Sequence, residues 1–571
     1  MAGRIPPNPP ARQFVPKWPS LCPAAVALVS EEFVPAKPSR PLMRLLACAG
    51  KAAALQKAPL AISAWLEGPL SYNEALMNTV PASSSQKSVC QELVAIVGEE
   101  WVLHTPDELI VYECDGLTLH PSLPDFVVFP ACTDDVVKII RLARQHKIPF
   151  LPRGAGTCLS GGAIAVEGGI ILEFSRMNRI LQLDCENRLA VVEPGVVNLQ
   201  LTQAAKKDNF YYAPDPSSQM VSTIGGNVAE NSGGPHTLKY GVTTNHVMAL
   251  EVVLPDSEVY ELGTAAGDFV GYDLVGPFVG SEGTFGIVTN AVVRLLYMPP
   301  AVKTLLAVYD SVADATRTVS GIIARGIVPA ALEMIDSNTI RAIEAGVYAT
   351  GIPKDAEAVL LIEVDGLDAG IEQQMERVVE VIQANNAREV RVAKDDAERK
   401  KLWAARKNAF GAYGRISANY YTMDGVIPRS KLPQILQEID ALGKQYGLRM
   451  ANVFHAGDGN LHPIILYDIS QPDAKDKVLA LAGDILRRCV EVGGALSGEH
   501  GIGLEKQEFM ALFFSEAELG VMQQLKGVFN PENLANPSKI FPIRRGCGEM
   551  PKNLLEAADQ KYKAIDEMVR F

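Results

Sequence analysis

Three glycine-rich runs between residues 152 and 286 constrain what this chain can fold into. They are Pro152–Gly162, Pro214–Gly234 and Gly280–Gly286. A glycine inside a helix or strand costs roughly 0.5–1 kcal/mol relative to alanine, so such runs are favoured in loops whose backbone approaches something closely. Unrelated surface turns would not concentrate so many glycines in one region. The runs therefore predict loops that surround one large, extended ligand.

The first run, Pro152-Arg-Gly-Ala-Gly-Thr-Cys-Leu-Ser-Gly-Gly162, is not the Rossmann fingerprint. Leu159 stands where the third glycine of that motif belongs, and no helix pattern begins at Ser160. The consecutive backbone amides from Arg153 to Thr157 can form a concave anion-binding nest that needs no helix dipole. A plain surface turn is the alternative, and this run alone does not decide between the two.

Three of the eight histidines lie in two short segments near the C-terminus, His455-Ala-Gly-Asp-Gly-Asn-Leu-His462 and Gly498-Glu-His-Gly501. His455 and His462 are too far apart for successive helix turns, but a hairpin tip between them would point both imidazoles inward. With Glu499 they form a two-histidine, one-carboxylate set that binds a divalent metal and leaves positions open for a substrate. The alternative is three polar residues in an ordinary turn and loop.

Two further residues are candidates for catalysis. His500 is adjacent to Glu499, so a ligand role for both is awkward, whereas a free imidazole beside a metal is a natural general base. Arg406 can bind a substrate carboxylate through its two-pronged guanidinium, although an arginine on a helix surface is more often merely solvated.

Composition limits the function classes. The 571 residues are enough for several hydrophobic cores, since single cores stop growing near roughly 250–300 residues. A net charge of -13 disfavours binding to nucleic acid or acidic lipid. The nine cysteines include no Cys-x-x-Cys pair, so a disulfide framework, a zinc ribbon or an iron–sulfur cluster is not expected. No apolar run approaches the roughly 18–20 residues that span a bilayer, and we expect a soluble, cytoplasmic enzyme.

The patterning from residue 125 onward alternates short apolar strands with amphipathic helices. A strand at 126–129, a helix with Thr133 as its cap and a strand at 148–151 form a strand–helix–strand unit. Strands at 303–309 and 360–364 and helices near 312–325 and 371–384 predict a second, two-layer domain.

The predicted domains are a low-order, basic, Pro-rich extension over 1–76, a lead-in over 77–120, a domain over 121–298 that holds the glycine-rich runs, a second domain over 299–541, and a tail with an amphipathic helix over 542–571. Residues 1–76 are interpreted as a leader, an arm or sequence upstream of a start at Met77.

Four motifs occur here in the order found in the vanillyl-alcohol-oxidase-type flavoproteins that oxidise D-2-hydroxy acids. They are the Gly-Ala-Gly-Thr and Leu-Ser-Gly-Gly of the first run, Ser-Thr-Ile-Gly-Gly-Asn-Val-Ala-Glu-Asn-Ser-Gly-Gly, Gly-Ser-Glu-Gly-Thr-Phe-Gly and His-Ala-Gly-Asp-Gly-Asn-Leu-His. Within that family, the segments at 406–410 and 420–428 are most similar to the FAD-linked subunit of bacterial glycolate oxidases. D-lactate and D-2-hydroxyglutarate dehydrogenases are similar as well.

The resemblance implies an α+β fold, with an FAD-binding domain of two subdomains over 121–298. It also implies a ferredoxin-like substrate cap and a C-terminal FAD-linked oxidase segment over 299–541. It implies a metal (zinc, iron or manganese) on His455, His462 and Glu499, His500 as base, and Arg406 as the carboxylate seat. It also implies noncovalent FAD, because Thr157 stands where covalent relatives carry a histidine. The implied FAD contacts are Arg153, Gly154, Ala155, Gly156, Thr157, Ser160, Gly161, Pro214, Asp215, Ser222, Thr223, Gly225, Gly226, Asn227, Ser232, Gly233, Gly286, Ile287, Val288 and Asn536.

The implied reaction is oxidation of a small D-2-hydroxy acid, glycolate first and D-lactate or D-2-hydroxyglutarate as alternatives. Electrons would pass to a second flavin-type subunit and an iron–sulfur subunit, through which the protein would associate with the inner membrane; direct transfer to oxygen or to a cytochrome is the alternative. Two departures from the family pattern are Cys158 and Ser538, each where a glycine is usual. Alternatives of another class are a flavin-free metallohydrolase and a non-catalytic assembly subunit.

Overall fold

The structure, a computed structural model, describes residues 84–266, 271–346 and 349–542. The sheets described below all belong to one compact unit, which begins at Cys90. The predictions for residues 1–76 and for a helix at 552–569 lie outside the described residues.

The first sheet carries the predicted strand–helix–strand unit. Its strands run in the order Val102–Leu103, Phe126–Val128, Ile170–Glu173 and Phe150–Arg153, and the last three are parallel. The helix Thr133–His146 crosses between two of them and buries one apolar face. The predicted cap is wrong: Cys132, in an extended conformation, is the N-cap, because the Thr133 hydroxyl instead donates to Glu251 at 2.7 Å.

A second sheet follows and is antiparallel throughout. Its strand order is Ile180–Asp184, Leu189–Val192, Ile287–Arg294, Val247–Val253 and Val259–Gly263. All seven residues of Val247–Val253 are buried. The helices Asn198–Ala205 and Ile224–Glu230 contribute to a core that includes Leu250 and Val252, whereas Glu251 binds Thr133 of the helix Thr133–His146. The glycine-rich runs connect or adjoin the strands of these two sheets.

The third sheet is also antiparallel and holds the C-terminal half together. Its central strand Ala358–Gly366 lies between Ala301–Tyr309 and Ala331–Asp336, and the latter pairs with Arg449–His455. Its other strands are Glu389–Val392, Asn419–Thr422, Gly425–Val426, Asn460–Leu461 and Pro463–Tyr467.

The prediction of a two-layer domain is wrong, because helices cover both faces of this third sheet. Alternate residues of the strand Ala301–Tyr309 pack into different hydrophobic cores. Leu305 and Ala307 lie in one core, and Leu306 and Val308 lie in the other. A sheet with two apolar faces needs a cover on each. The helices Val312–Ala324, Asp368–Ala384, Leu432–Tyr446 and Ala474–Glu491 cover one face, and Ser337–Glu344, Asp396–Lys407 and Ala409–Tyr413 cover the other.

The remaining helices are short or terminal. They are Ser84–Val97, Pro106–Leu109, Thr237–Tyr240, Val275–Phe278, Met510–Phe513 and Glu516–Phe529. None of the helices in the described ranges is long and apolar enough to cross a lipid bilayer.

Candidate active site

One cavity brings together the glycine-rich runs and the C-terminal histidines. Its wall includes Gly154 and Gly156 from the first run and Gly226 from the second, facing His462 and His500 from the C-terminal segments. Residues that lie about 300 positions apart in sequence therefore share one space. This juxtaposition is what a flavin and a metal-bound substrate would need in order to react.

Thirteen of the twenty implied FAD contacts lie on the cavity wall. Two of them carry buried polar atoms, Ser222 Oγ and Asn227 Nδ2, that have no hydrogen-bond partner within the described ranges. A buried donor without a partner is rare in native proteins and costs about 1–3 kcal/mol. An FAD in this cavity would satisfy such atoms. The wall residues are Arg153, Gly154, Ala155, Gly156, Thr157, Ser222, Thr223, Gly225, Gly226, Asn227, Ser232, Gly286 and Val288.

The other seven implied FAD contacts do not line the cavity, and several of them bond to residues around it. Asn536 donates to the carbonyl oxygens of Gly162 and Glu282, and Asp215 binds His236. The carbonyl of Ser160 accepts two backbone amides, and that of Pro214 accepts from Asn198. Ile287 points away from the cavity because it alternates with Gly286 and Val288. The residues off the wall are Ser160, Gly161, Pro214, Asp215, Gly233, Ile287 and Asn536.

The three candidate metal ligands converge. His455 ends the strand Arg449–His455 and pairs with Asn460 across a hairpin tip, as the sequence predicts. The Nε2 atoms of His455 and His462 lie 3.1 and 3.0 Å from Glu499 Oε1. One donor atom from each residue lies within 4.8 Å of the other two. Two nitrogens and a carboxylate at this spacing fit a divalent metal.

A buried carboxylate that the sequence analysis missed orients His455. Glu333 is fully buried and accepts from His455 Nδ1 at 2.7 Å and from Arg406 Nε at 2.7 Å. Burial alone would raise the pKa of Glu333, but the charges of His455 and Arg406 lower it. The carboxylate fixes the ring so that Nε2 faces Glu499 and His462, as metal-binding histidines require.

Arg406 is buried, with 2% of its surface exposed, so the solvated helix-surface reading is wrong. Its Nε is engaged by Glu333, while no described residue accepts a hydrogen bond from its two terminal nitrogens. Arg406 is not on the cavity wall, but the next residue, Lys407, is.

His500 lies on the cavity wall and stacks on His462, with ring centroids 4.9 Å apart and planes 6° from parallel. Its Nδ1 has no hydrogen-bond partner among the described residues. Burial lowers the pKa of His500 to about 4 against the opposing charge of Asp424, so the imidazole is neutral at pH 7. A neutral imidazole with a free nitrogen can accept a proton.

Asp424, His462 and His500 form a second group with metal-ligand spacing. The Asp424 carboxylate, however, already accepts from three backbone amides, the Ser497 hydroxyl and Lys506 Nζ. Its lone pairs are committed, so the group of His455, His462 and Glu499 is the better candidate for a metal position.

Several wall residues escaped the sequence analysis: Lys407, Phe410, Tyr420, Thr422, Glu230 and Glu282. The alternation of Tyr420 and Thr422 along a strand is one signal, because such residues share a face; Glu230 and Glu282 lie inside the second and third glycine-rich runs. Glu230 Oε2 is buried without a partner within the described ranges. Burial, with the charge of Glu282, raises the pKa of Glu230 well above its usual range.

Comparisons with known proteins agree with this geometry. Residues 124–263 match an FAD binding domain, and residues 298–540 match the C-terminal domain of FAD linked oxidases. The glycolate oxidase subunit GlcD of Escherichia coli (strain K12) is 47% identical over 84% of this chain and 95% of that protein. The chain belongs to the FAD-linked oxidases. Its membership supports an FAD-dependent oxidoreductase and disfavours a flavin-free metallohydrolase.

Other FAD-linked oxidases are similar at lower identity. GlcD of Bacillus subtilis (strain 168) is 40% identical over 80% of this chain and 97% of that protein. A D-lactate dehydrogenase of Anaerostipes hadrus is 33% identical over 76% of this chain and 92% of that protein.

Solved structures confirm the predicted fold class. p-Cresol methylhydroxylase with substrate bound has a TM-score of 0.69 at 18% identity, covering 82% of this chain and 99% of that one. 4-Ethylphenol oxidase from Gulosibacter chungangensis has a TM-score of 0.69 at 19% identity, covering 81% of this chain and 99% of that one. At such identity the likeness concerns the fold alone.

Proposed function

We propose that this FAD-linked oxidase oxidises a small D-2-hydroxy acid to the 2-oxo acid, with glycolate as the preferred substrate. The observation that carries the proposal is the single cavity in which the glycine-rich FAD loops face His462, Glu499 and His500. The substrate preference rests on the 47% and 40% identical relatives, which are glycolate oxidase subunits.

The proposed roles follow from the donor atoms. His455, His462 and Glu499 would hold a divalent metal, zinc, iron or manganese, which would supply a Lewis acid for the substrate hydroxyl. The glycine-rich loops would hold FAD noncovalently, and the flavin would supply the acceptor for the hydride of the substrate α-carbon. His500 takes the hydroxyl proton at its free nitrogen, so that proton and hydride together leave a 2-oxo acid.

Arg406 is the proposed seat of the substrate carboxylate. A guanidinium binds a carboxylate best through two parallel hydrogen bonds, and both terminal nitrogens of Arg406 are without a partner in the described part of the chain. Glu333, by holding Nε, aligns the planar group before substrate arrives. Lys407 offers a second, more exposed cation on the wall.

Electrons must then leave the reduced flavin. Glycolate oxidase relatives are named as subunits, which supports the proposal that a second flavin-type subunit and an iron–sulfur subunit take the electrons. Such partners would place the protein in the cytoplasm at the inner membrane. The nine cysteines of this chain lack the spacing of a cluster motif.

Steady-state rates with a dye acceptor test the substrate assignment. We expect glycolate to give the highest kcat/KM among glycolate, D-lactate, L-lactate and D-2-hydroxyglutarate. A higher value for D-lactate would reassign the chain to the activity of its 33% identical relatives, and no turnover with any acid would refute the proposal.

The role of Arg406 in binding the substrate carboxylate is tested by comparing Arg406→Lys with Lys407→Ala. Loss of the bidentate pair should cost about 1.5–3 kcal/mol of binding, or roughly 10–100-fold in kcat/KM, for Arg406→Lys. A larger loss of kcat/KM for Lys407→Ala would show that Lys407, and not Arg406, binds the substrate carboxylate.

A further inference from the structure

Residues Ser497–Gly503, which carry Glu499 and His500, form neither helix nor strand. Their conformation therefore needs another source of hydrogen bonds. Gly501 and Gly503 have φ values of +84° and +51°, which favour glycine. A Cβ atom on Gly503 would lie 2.2 Å from the carbonyl oxygen of Ser160, so the loop also fits closely against the first glycine-rich run.

Every backbone amide from Gly498 to Gly503 donates a hydrogen bond to a side-chain oxygen. The amides of Gly498, Glu499 and His500 donate to the carboxylate of Asp424, at 3.2, 3.2 and 2.9 Å. The next amide, of Gly501, donates to Ser497 Oγ at 3.0 Å, and that hydroxyl itself donates to Asp424.

Glu282 takes the last two amides of the series. Its two oxygens accept from Ile502 at 2.7 Å and from Gly503 at 2.8 Å. Glu282 belongs to the third glycine-rich run, whereas Asp424 lies between two strands of the C-terminal half. The loop is thus held from both sides of the cavity.

Both carboxylates lie in the protein interior, and a buried lysine pairs with Asp424. Asp424 is fully buried and Glu282 is 4% exposed. Lys506 Nζ, also fully buried, donates to Asp424 at 3.2 Å and to the Gly501 carbonyl at 2.9 Å.

We propose that Asp424 and Glu282 are positioning residues that together set the directions of the Glu499 carboxylate and the His500 imidazole. The proposal rests on the proposed function for its catalytic consequence but not for its structural one. Neither residue is offered as a metal ligand or a base. A displacement of about 1 Å in a catalytic group can cost roughly 10²-fold in rate.

Asp424→Asn and Glu282→Gln test the proposal with little change in shape. Both oxygens of each carboxylate accept from amides, so either orientation of the new amide sets an N–H₂ group against an N–H donor. Asp336→Asn and Glu251→Gln are matched controls. Asp336 is half-buried and caps a helix, and Glu251 is buried and binds Thr289; neither residue lies on the cavity wall.

Two measurements on the FAD-loaded enzyme decide the matter. Hydrogen exchange of the peptide covering 497–505 should quicken about tenfold in both variants and stay unchanged in the controls. Flavin reduction by saturating glycolate should slow about 10²-fold in both variants, but not in the controls even where their Tm falls. Ser497→Ala, a milder change, replaces Asp424→Asn if that variant does not fold.

Unchanged loop exchange in both variants would overturn the proposal, as would faster exchange with flavin reduction at the wild-type rate. If wild-type flavin is not reduced by any 2-hydroxy acid, the proposed function fails, and the exchange data alone still decide whether the two carboxylates hold the loop.

Discussion

Replacing Glu333 by glutamine perturbs the link between Arg406 and His455 without changing its shape. Glu333 is fully buried and accepts hydrogen bonds of 2.7 Å from each of these residues. The variant removes a negative charge and leaves the guanidinium of Arg406, itself only 2% exposed, without its counterion.

The expected cost follows from that burial. Removing one partner of a buried ion pair destabilises a protein by about 3–5 kcal/mol, because the remaining charge is uncompensated. A glutamine oxygen can still accept one of the two hydrogen bonds, so we expect the lower end, about 3 kcal/mol. Loss of the carboxylate behind a metal-binding histidine typically weakens metal binding 10–100-fold.

Denaturant unfolding and zinc titration of the chelator-treated protein measure the two effects separately. Glu251→Gln is the control, because Glu251 is also buried but accepts only from neutral groups, Thr133, Thr289 and Asn290. An equal loss of stability in both variants, or unchanged zinc affinity in Glu333→Gln, would refute the reasoning.

Two further predictions concern other contacts. His236 lies between Asp215 and Glu363; burial opposes protonation, but these carboxylates raise the pKa of His236 to about 10. The contribution of protonated His236 to stability is therefore complete below about pH 6.5 and is lost as the pH rises toward 10. Urea unfolding between pH 7 and 10 should show a decline in the free energy of unfolding that His236→Gln abolishes. The same decline with pH in the variant would contradict this. A Cβ atom on Gly154 would lie 2.3 Å from Thr223 Oγ1, so Gly154→Ala should lower the flavin absorbance per protein after gel filtration, and full flavin content would contradict it.

The sequence patterns predicted local structure where one face of an element decides it. The helix Thr133–His146 and the strand Ala301–Tyr309 lie where their apolar spacing predicts. The hairpin between His455 and His462 was predictable because glycines surround its tip. The burial of both sheet faces was not, because Leu305 and Leu306 alike are apolar and their partners come from distant helices.

The supporting carboxylates could not be predicted from spacing. Glu333 lies 122 residues before His455, and Glu282 lies 220 residues before Ile502. No local pattern marks such a contact, since it exists only after the sheets have assembled. Arg406 was singled out from the sequence as a candidate, but its burial against Glu333 depends on the same assembly.

The central claim is that the C-terminal histidine cluster acts on a substrate bound against the flavin. Anaerobic mixing of the purified, FAD-loaded protein with glycolate, before and after removal of metal by a chelator, tests it most directly. The account predicts bleaching of the flavin absorbance before chelation, at least about tenfold slower bleaching afterwards, and recovery when zinc or manganese is restored. Equally fast bleaching after verified metal removal, or no bleaching by any 2-hydroxy acid in the untreated protein, would contradict it.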